Sequence, residues 1–385
     1  MSLHTVGTIY FLAMIVVSAY FFLLAFGNAL EMKLGKTAPK KKDGPLVSVL
    51  IPVRNEEHII ERCVDSLLNQ DYLNYEILIL DDNSEDNTFE VIRKIAEKDK
   101  KVRALKGNPL PGDWYGKTYA LEQLLAQARG KILLLTDADT VQSKTSISWA
   151  ATNMEKTGAA LISGYAGQVL KTAGERITVP LIFFLTGFLI PMFLGRFFKI
   201  GYFSLAVGQY IALDRETLIK SGGFVTVKNK TSEDVFLARH LKASGYKTEF
   251  LDISDQVSCR MYEGYSAAIQ GIGKNIYDFM GKVPAVLILN AAAIFFFFCL
   301  PFPILAGSVI AYLAGAPLNP FMIELIIVHA LYTLTWLLLF ASRRISWYNA
   351  FSWPVMYFNL LFMVLWSFYR TLSGKGFKWK DRVVK

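Results

Sequence analysis

The spacing with the most specific chemistry in this 385-residue sequence is Asp137-Ala138-Asp139. On an extended segment alternate residues share one face, so both carboxylates can point at one cation. Magnesium and manganese favour oxygen ligands, and Mg²⁺ commonly uses one or two carboxylates plus substrate phosphates. A nucleotide diphosphate leaving group needs such an ion, because charge builds on it as its bond breaks. Two further polar clusters precede this one, Pro52-Val53-Arg54-Asn55-Glu56-Glu57 and Asp81-Asp82-Asn83-Ser84. Lys117, in Gly112-Asp113-Trp114-Tyr115-Gly116-Lys117, can add a second cation at a helix start, or be a solvated first-turn lysine. Taken singly, each acidic cluster is also what a turn or helix cap uses. Three carboxylate-rich clusters together argue for one shared crevice.

The elements that must position them alternate. Leu46–Val53, Tyr75–Leu80 and Lys131–Leu135 are short apolar runs that read as strands. Between them, Glu56–Leu68, Thr88–Lys98 and Lys117–Ala128 carry helical patterns. Strand, helix, strand with short polar joints predicts βαβ units and a largely parallel sheet. Ligands of such sheets bind at the carboxyl ends of the strands, where the three clusters fall.

Composition sets the wider frame. The chain is 53% hydrophobic, and the apolar residues form long blocks. Thr5–Leu30 has no charged side chain and is long enough for a span of roughly 20 residues. It lacks the basic n-region and small-residue cleavage site of a signal peptide, so it reads as a retained anchor over 1–32. Val283–Ile323, Leu325–Ser342 and Ile345–Tyr369 are also uncharged, which predicts transmembrane helices over 283–370 and a basic tail over 371–385. Ile345–Tyr369 admits a full span or a re-entrant path aided by Pro354. Lys33, Lys36, Lys40, Lys41 and Lys42 put the intervening domain, 45–282, in the cytoplasm of a multi-pass cell-membrane protein. Cys63, Cys259 and Cys299 are odd in number and far apart, which implies no disulfide framework or zinc site. The net charge of +9 is read as membrane-flanking charge, since no basic stripe interleaves with aromatics; no nucleic-acid partner is expected.

The ordered set Pro52–Glu57, Asp81–Ser84, Gly116-Lys117 and Asp137–Asp139 resembles the family 2 glycosyltransferases of the GT-A fold. The resemblance continues through Gly208-Gln209-Tyr210, Ser221–Phe224 and Ser232-Glu233-Asp234, covering roughly 47–275. Trp114–Lys117, Arg260-Met261-Tyr262, Lys274-Asn275 and the ending Trp379–Arg382 look most like carotenoid- and hopanoid-associated members, which are related to ceramide glucosyltransferases. The fold it implies is α/β: a GT-A nucleotide-sugar-binding domain with transmembrane helices at both ends.

By position, the resemblance implies that Pro52, Arg54, Glu56 and Asp82 line the base and ribose of a UDP- or GDP-linked donor. Asp139 with Asp137 would hold a divalent metal (Mg or Mn) and the diphosphate. Arg260 and Lys274 would contact that diphosphate, Gly208, Gln209 and Tyr210 would sit near the acceptor, and Asp234 would be the catalytic base. Asp234 also suits a helix N-terminus. The implied activity is inverting hexosyl transfer to an isoprenoid, carotenoid, hopanoid or sphingolipid-like acceptor. Alternatives are a processive polysaccharide synthase, a polyprenyl-phosphate glycosyltransferase, or a membrane sensor that has lost catalysis. Gln270-Gly-Ile-Gly-Lys274 stands where polymer-forming members carry Gln/Arg-x-x-Arg-Trp, which points away from polymer synthesis. The apolar stretch 178–213 is broken by Pro180, Pro191, Arg196 and Lys199. A full span there would divide Asp139 from Asp234, so it is expected to be an interfacial helix or re-entrant hairpin that admits a membrane-dissolved acceptor.

Overall fold

The structure is a computed structural model and describes residues 2–34, 41–187, 189–279, 283–373, 377–379 and 382–384. It divides into two compact units, one of 31–169 with 192–261, the other of 1–30, 170–191 and 262–385.

Among the described residues the first unit has ten strands: β1 Val47–Val53, β2 Tyr75–Asp81, β3 Val102–Lys106, β4 Ile132–Leu135, β5 Thr140–Gln142, β6 Leu161–Tyr165, β7 Gly167–Gln168, β8 Ile211–Asp214, β9 Thr248–Asp252 and β10 Val257–Cys259. Seven form one sheet in the order β3-β2-β1-β4-β8-β6-β9. The expected parallel pairing holds from β3 to β4, whereas β8 runs antiparallel to both β4 and β6. The sheet is therefore mixed. β2 is buried along its whole length and β1 everywhere but Pro52, as strands covered on both faces must be. Val49, Ile51, Ile77 and Ile79 pack on one side with Trp149 and the helix Ile60–Leu68. Leu50, Leu78, Leu133 and Leu135 pack on the other with Leu121 and Leu124 of the helix Gly116–Gln127. β1 pairs with β2 on one side and β4 on the other, so the crevice beyond its carboxyl end lies where strand order reverses.

The helix expected over Glu56–Leu68 begins only at Ile60. Asn55 adopts a left-handed φ of 52°, and the amides of Asn55, Glu56 and Glu57 are bonded to Ser84, Thr88 and Asp86 instead. A small second sheet, β5-β10-β7, follows the Asp137–Asp139 turn, with Cys259 opposite Thr140.

The second unit is helical. Among the described residues, four of its segments are long and apolar enough to cross a membrane: His4–Met32, Pro284–Leu313, Met322–Ser342 and Trp347–Leu372. A fifth, Ala173–Arg196, meets the same length and composition test and runs on into the first unit. This is multi-pass membrane character. The fifth segment is interrupted by a turn at 179–180 and by Pro191, as its prolines predict. Pro354, by contrast, lies in the first turn of the continuous helix Trp353–Leu372, where its missing N–H costs nothing. Pro354 therefore does not break this helix. Within the Pro284–Leu313 segment, Ile294–Cys299 winds as a π-helix. The Tyr10 and Tyr332 hydroxyls donate to the Phe296 and Phe297 carbonyls there, each at 2.7 Å. Phe377–Trp379 pairs with Arg382–Val384, and Lys380 and Asp381 between them lie outside the described residues.

Candidate active site

β1 and β4 end side by side, so Pro52 and Asp137 enter the same crevice from neighbouring strands. Lys117 arrives from the first turn of the helix Gly116–Gln127, and Glu233 and Asp234 from the first turn of the helix Glu233–Ala243. The Lys117 Nζ lies 2.7 Å from Asp137 Oδ1 and 3.1 Å from Glu233 Oε1. The Gly208 amide donates to Asp234 Oδ2 at 2.7 Å, and Asp234 Oδ1 accepts from the Val235 amide at 2.8 Å.

Gly208 is where these groups meet. A Cβ built on it would stand 2.8 Å from Lys117 Nζ, 3.5 Å from Asp234 Oδ2 and 3.6 Å from Asp137 Oδ2. Leu121, Leu135, Ile211, Phe224 and Leu237 form the apolar part of the lining.

The electrostatics follow from this crowding. Burial, reinforced by the Glu233 charge, pushes Asp234 up to about 7. Burial and the Asp137 charge likewise push Asp139 up to about 7. For Lys117, burial works toward the neutral amine, but Asp137, Glu233 and Asp234 outweigh it and hold the ammonium well above its usual range. Asp139 Oδ1 is buried without a hydrogen-bond partner. A buried acceptor in that state is costly and marks a place for a missing cationic or donor group.

The other expected residues are distributed less simply. Arg54 donates to the Asp82 carbonyl at 2.8 Å, to the Asn83 carbonyl, and to Glu85 at 2.8 Å. It thus ties the loop after β1 to the loop after β2. Asp82 is buried and its amide bonds the Val53 carbonyl at 2.8 Å. Gln209 is buried beside Gln168, whose amide donates to it at 3.2 Å. Tyr210, expected near an acceptor, is fully buried, with its hydroxyl on the Ser146 carbonyl at 2.7 Å and its ring against Trp149. It is a core residue. Arg260 follows β10, which the Cys259–Thr140 register brings alongside the Asp139 turn. Lys274 lies on the helix Gly264–Phe279 of the other unit.

Sequence reading gave no part to Glu233, Cys63 or Cys259. Glu233 is a direct partner of Lys117. The Cys63 thiol reaches the Asp137 carbonyl at 3.6 Å and the Cys259 thiol hydrogen-bonds the Asp139 side chain. Burial pushes the Cys63 thiol up to about 12. The signal for Cys63 was its place in the apolar stripe Ile60, Cys63, Val64, Leu67. Nothing local pointed to Cys259.

Residues 48–220 match the family described as Glycosyl transferase family 2. A probable glycosyltransferase of Bacillus subtilis is 31% identical over 149 residues, covering 36% of this chain and 35% of that protein. A β-monoglucosyldiacylglycerol synthase of Trichormus variabilis is 36% identical over 97 residues, covering 25% of this chain and 20% of that one. The chain thus spans about a third or less of these curated relatives. A mannosyltransferase from Pyrobaculum calidifontis, solved with GDP-Man and Mn²⁺, shares the fold at a TM-score of 0.55 and 20% identity. That likeness covers 94% of this chain and 99% of the mannosyltransferase. The family 2 match contains Pro52, Lys117, Asp137, Asp139 and Gly208 and ends before Glu233 and Asp234.

Proposed function

We propose that this protein is an inverting membrane glycosyltransferase that moves a hexose from a UDP- or GDP-linked donor to a lipid acceptor. The observation that carries this reading is the convergence of Lys117, Asp137, Glu233 and Asp234 around Gly208.

Asp234 is the base. Its Oδ1 and Oδ2 are fixed by two backbone amides, and its raised pKa suits a group that must accept a proton near neutrality. As it takes the acceptor's hydroxyl proton, the oxygen attacks the anomeric carbon. The bond to the diphosphate oxygen breaks on the opposite face, which inverts the centre. Lys117 offers its charge to the departing diphosphate, and Glu233 holds the ammonium at the crevice. Burial of these groups strengthens each interaction relative to water.

The residues present fit a divalent metal. Asp139 Oδ1 is buried and unpartnered, and Asp137 stands two residues away. Among the described residues no group of three or more His, Cys, Asp or Glu side chains could hold an ion. That suits a site of one or two carboxylates completed by substrate phosphate. When bound there, the ion would neutralise charge on the diphosphate.

A lipid acceptor is supported by the five apolar segments and by a relative named as a β-monoglucosyldiacylglycerol synthase. An isoprenoid, carotenoid, hopanoid or sphingolipid-like alcohol is the class we favour, from the resemblance at Trp114–Lys117, Arg260–Tyr262 and Lys274-Asn275. A cytoplasmic catalytic unit is supported by the lysines at 33, 36, 40, 41 and 42. Membranes containing the protein, incubated with radiolabelled UDP- and GDP-sugars, are expected to yield label in the lipid extract. Label confined to a polymer would favour a processive synthase instead, and no incorporation from any donor a protein without transferase activity.

A further inference from the structure

Between the fifth apolar segment and the active site runs Arg196-Phe197-Phe198-Lys199-Ile200-Gly201-Tyr202-Phe203. Its apolar side chains are turned outward: Phe197 is 73% exposed, Phe198 50%, Ile200 51% and Tyr202 47%. Four large apolar groups within six residues make a patch that a soluble surface avoids. From Met192 to Ser204 there is no Asp or Glu, and Arg196 and Lys199 alternate with the aromatics.

The loop is built, not loose. Met192–Arg196 and Gly201–Phe203 are 3₁₀ turns, and the Phe197 and Phe198 amides both donate to the Leu194 carbonyl at 3.0 Å. Arg196 pairs with Glu31 at 2.7 Å. The helix Glu233–Ala243 fastens the rest. Lys242 Nζ donates to the Gly195 carbonyl, and the Arg239 guanidinium lies 5.3 Å from the centre of the Tyr202 ring. A Cβ on Gly201 would stand 2.6 Å from the Arg239 carbonyl, so only glycine admits this approach.

That same helix carries Asp234 in its first turn. Arg239 and Lys242 are five and eight residues further on, a rise of about 8 and 12 Å along its axis. We propose that residues 196–203 are a membrane-docking loop that seats its aromatic side chains at the headgroup boundary of a bilayer containing anionic lipid, and that the helix Glu233–Ala243 fixes the distance of Asp234 from that surface. The proposal rests on the lipid-acceptor reading above and adds the surface through which the acceptor approaches. Three observations select a bilayer as the occupant. The exposed Lys199 complements anionic headgroups, the aromatics suit the interface, and the chain enters the loop directly from a segment apolar enough to cross a membrane.

The test uses the full chain reconstituted in phosphatidylcholine vesicles with and without phosphatidylglycerol. Nitroxide labels are placed by Phe197→Cys and Phe198→Cys, with Leu73→Cys and Val225→Cys as exposed positions elsewhere on the same unit. The native cysteines are buried. Collision with oxygen is compared with collision with a water-soluble nickel chelate. At 197 and 198 the oxygen-to-nickel ratio is expected to be severalfold higher than at 73 and 225, and Lys199→Glu is expected to lower it most in vesicles with phosphatidylglycerol. An oxygen-to-nickel ratio at 197 and 198 equal to that at 73 overturns the proposal: high access to nickel would place the loop in water, and low access to both reagents under a protein. The readout does not involve sugar transfer. Transfer with water-exposed labels would sink the docking loop alone, and buried labels without transfer to any lipid would sink the functional reading alone.

Discussion

Replacing Gly208 with alanine separates the chemistry of the site from its packing. The new methyl would stand 2.8 Å from Lys117 Nζ, inside van der Waals contact, and at ordinary distances of 3.5 and 3.6 Å from Asp234 and Asp137. Only the lysine must move, and it is the far end of a flexible side chain. The fold should therefore tolerate the change, with stability altered by no more than about 1 kcal/mol in either direction, since alanine also restricts the unfolded chain. Catalysis should not tolerate it. Lys117 can retreat only by lengthening its 2.7 Å contact with Asp137 or its 3.1 Å contact with Glu233. Misplacing a positioned charge by about 1 Å costs on the order of 10²-fold in rate, equivalent to about 2.7 kcal/mol in the barrier. Purified protein in nanodiscs would be assayed for lipid product under saturating donor, beside thermal unfolding of the same sample. A kcat within twofold of the parent would refute the role given to the Lys117 position. A stability loss beyond about 2 kcal/mol would show that the methyl disrupts packing, and the rate could then not be read as chemistry.

Asp234→Asn should keep donor affinity while cutting kcat by roughly 10²–10⁴-fold, as loss of a general base does; collapse of donor binding in equilibrium dialysis would make Asp234 a donor ligand instead. Because Asp234 is raised to about 7 and must be ionised to accept a proton, kcat/KM should climb about tenfold per pH unit below 7 and level off above it. The Asn variant should lack that limb. Asp139→Ala should abolish transfer, and a chelator should do the same to the parent, measured as lipid-extracted label; full activity in excess chelator would remove the metal from the account. A cysteine at Leu73, exposed on the catalytic unit, should react with an impermeant reagent only after cells are opened. Labelling of intact cells would reverse the orientation drawn from Lys33–Lys42.

What the sequence determined by itself was local. The runs Leu46–Val53, Tyr75–Leu80 and Lys131–Leu135 became β1, β2 and β4 within a residue or so, and Thr88–Lys98 kept its expected ends. Periodicity and burial act over neighbouring residues, so such elements are written in a few positions of sequence. The Asp137-x-Asp139 pair was legible as a spacing, but the extended segment expected for it is a turn at Ala138 and Asp139. Tertiary structure alone decided the rest. β8 comes between β4 and β6 in the sheet although it begins 46 residues after β6 ends, and no pattern within Ile211–Asp214 states its neighbours. Arg54 looked like a donor contact, yet carbonyls brought alongside it by the loop after β2 take its guanidinium. Tyr210 lies between Gly208 and Ile211 of the crevice lining and still falls into the core, because successive residues entering β8 face opposite sides. Lys117, Gly208 and Glu233 are separated by 91 and 25 positions, and their meeting depends on where two helices and a loop settle against the sheet. Contacts at such separations are chosen by packing of the whole unit, which is why Lys117 could be named from the sequence as a candidate cation while its joining of Asp137 to Glu233 could not.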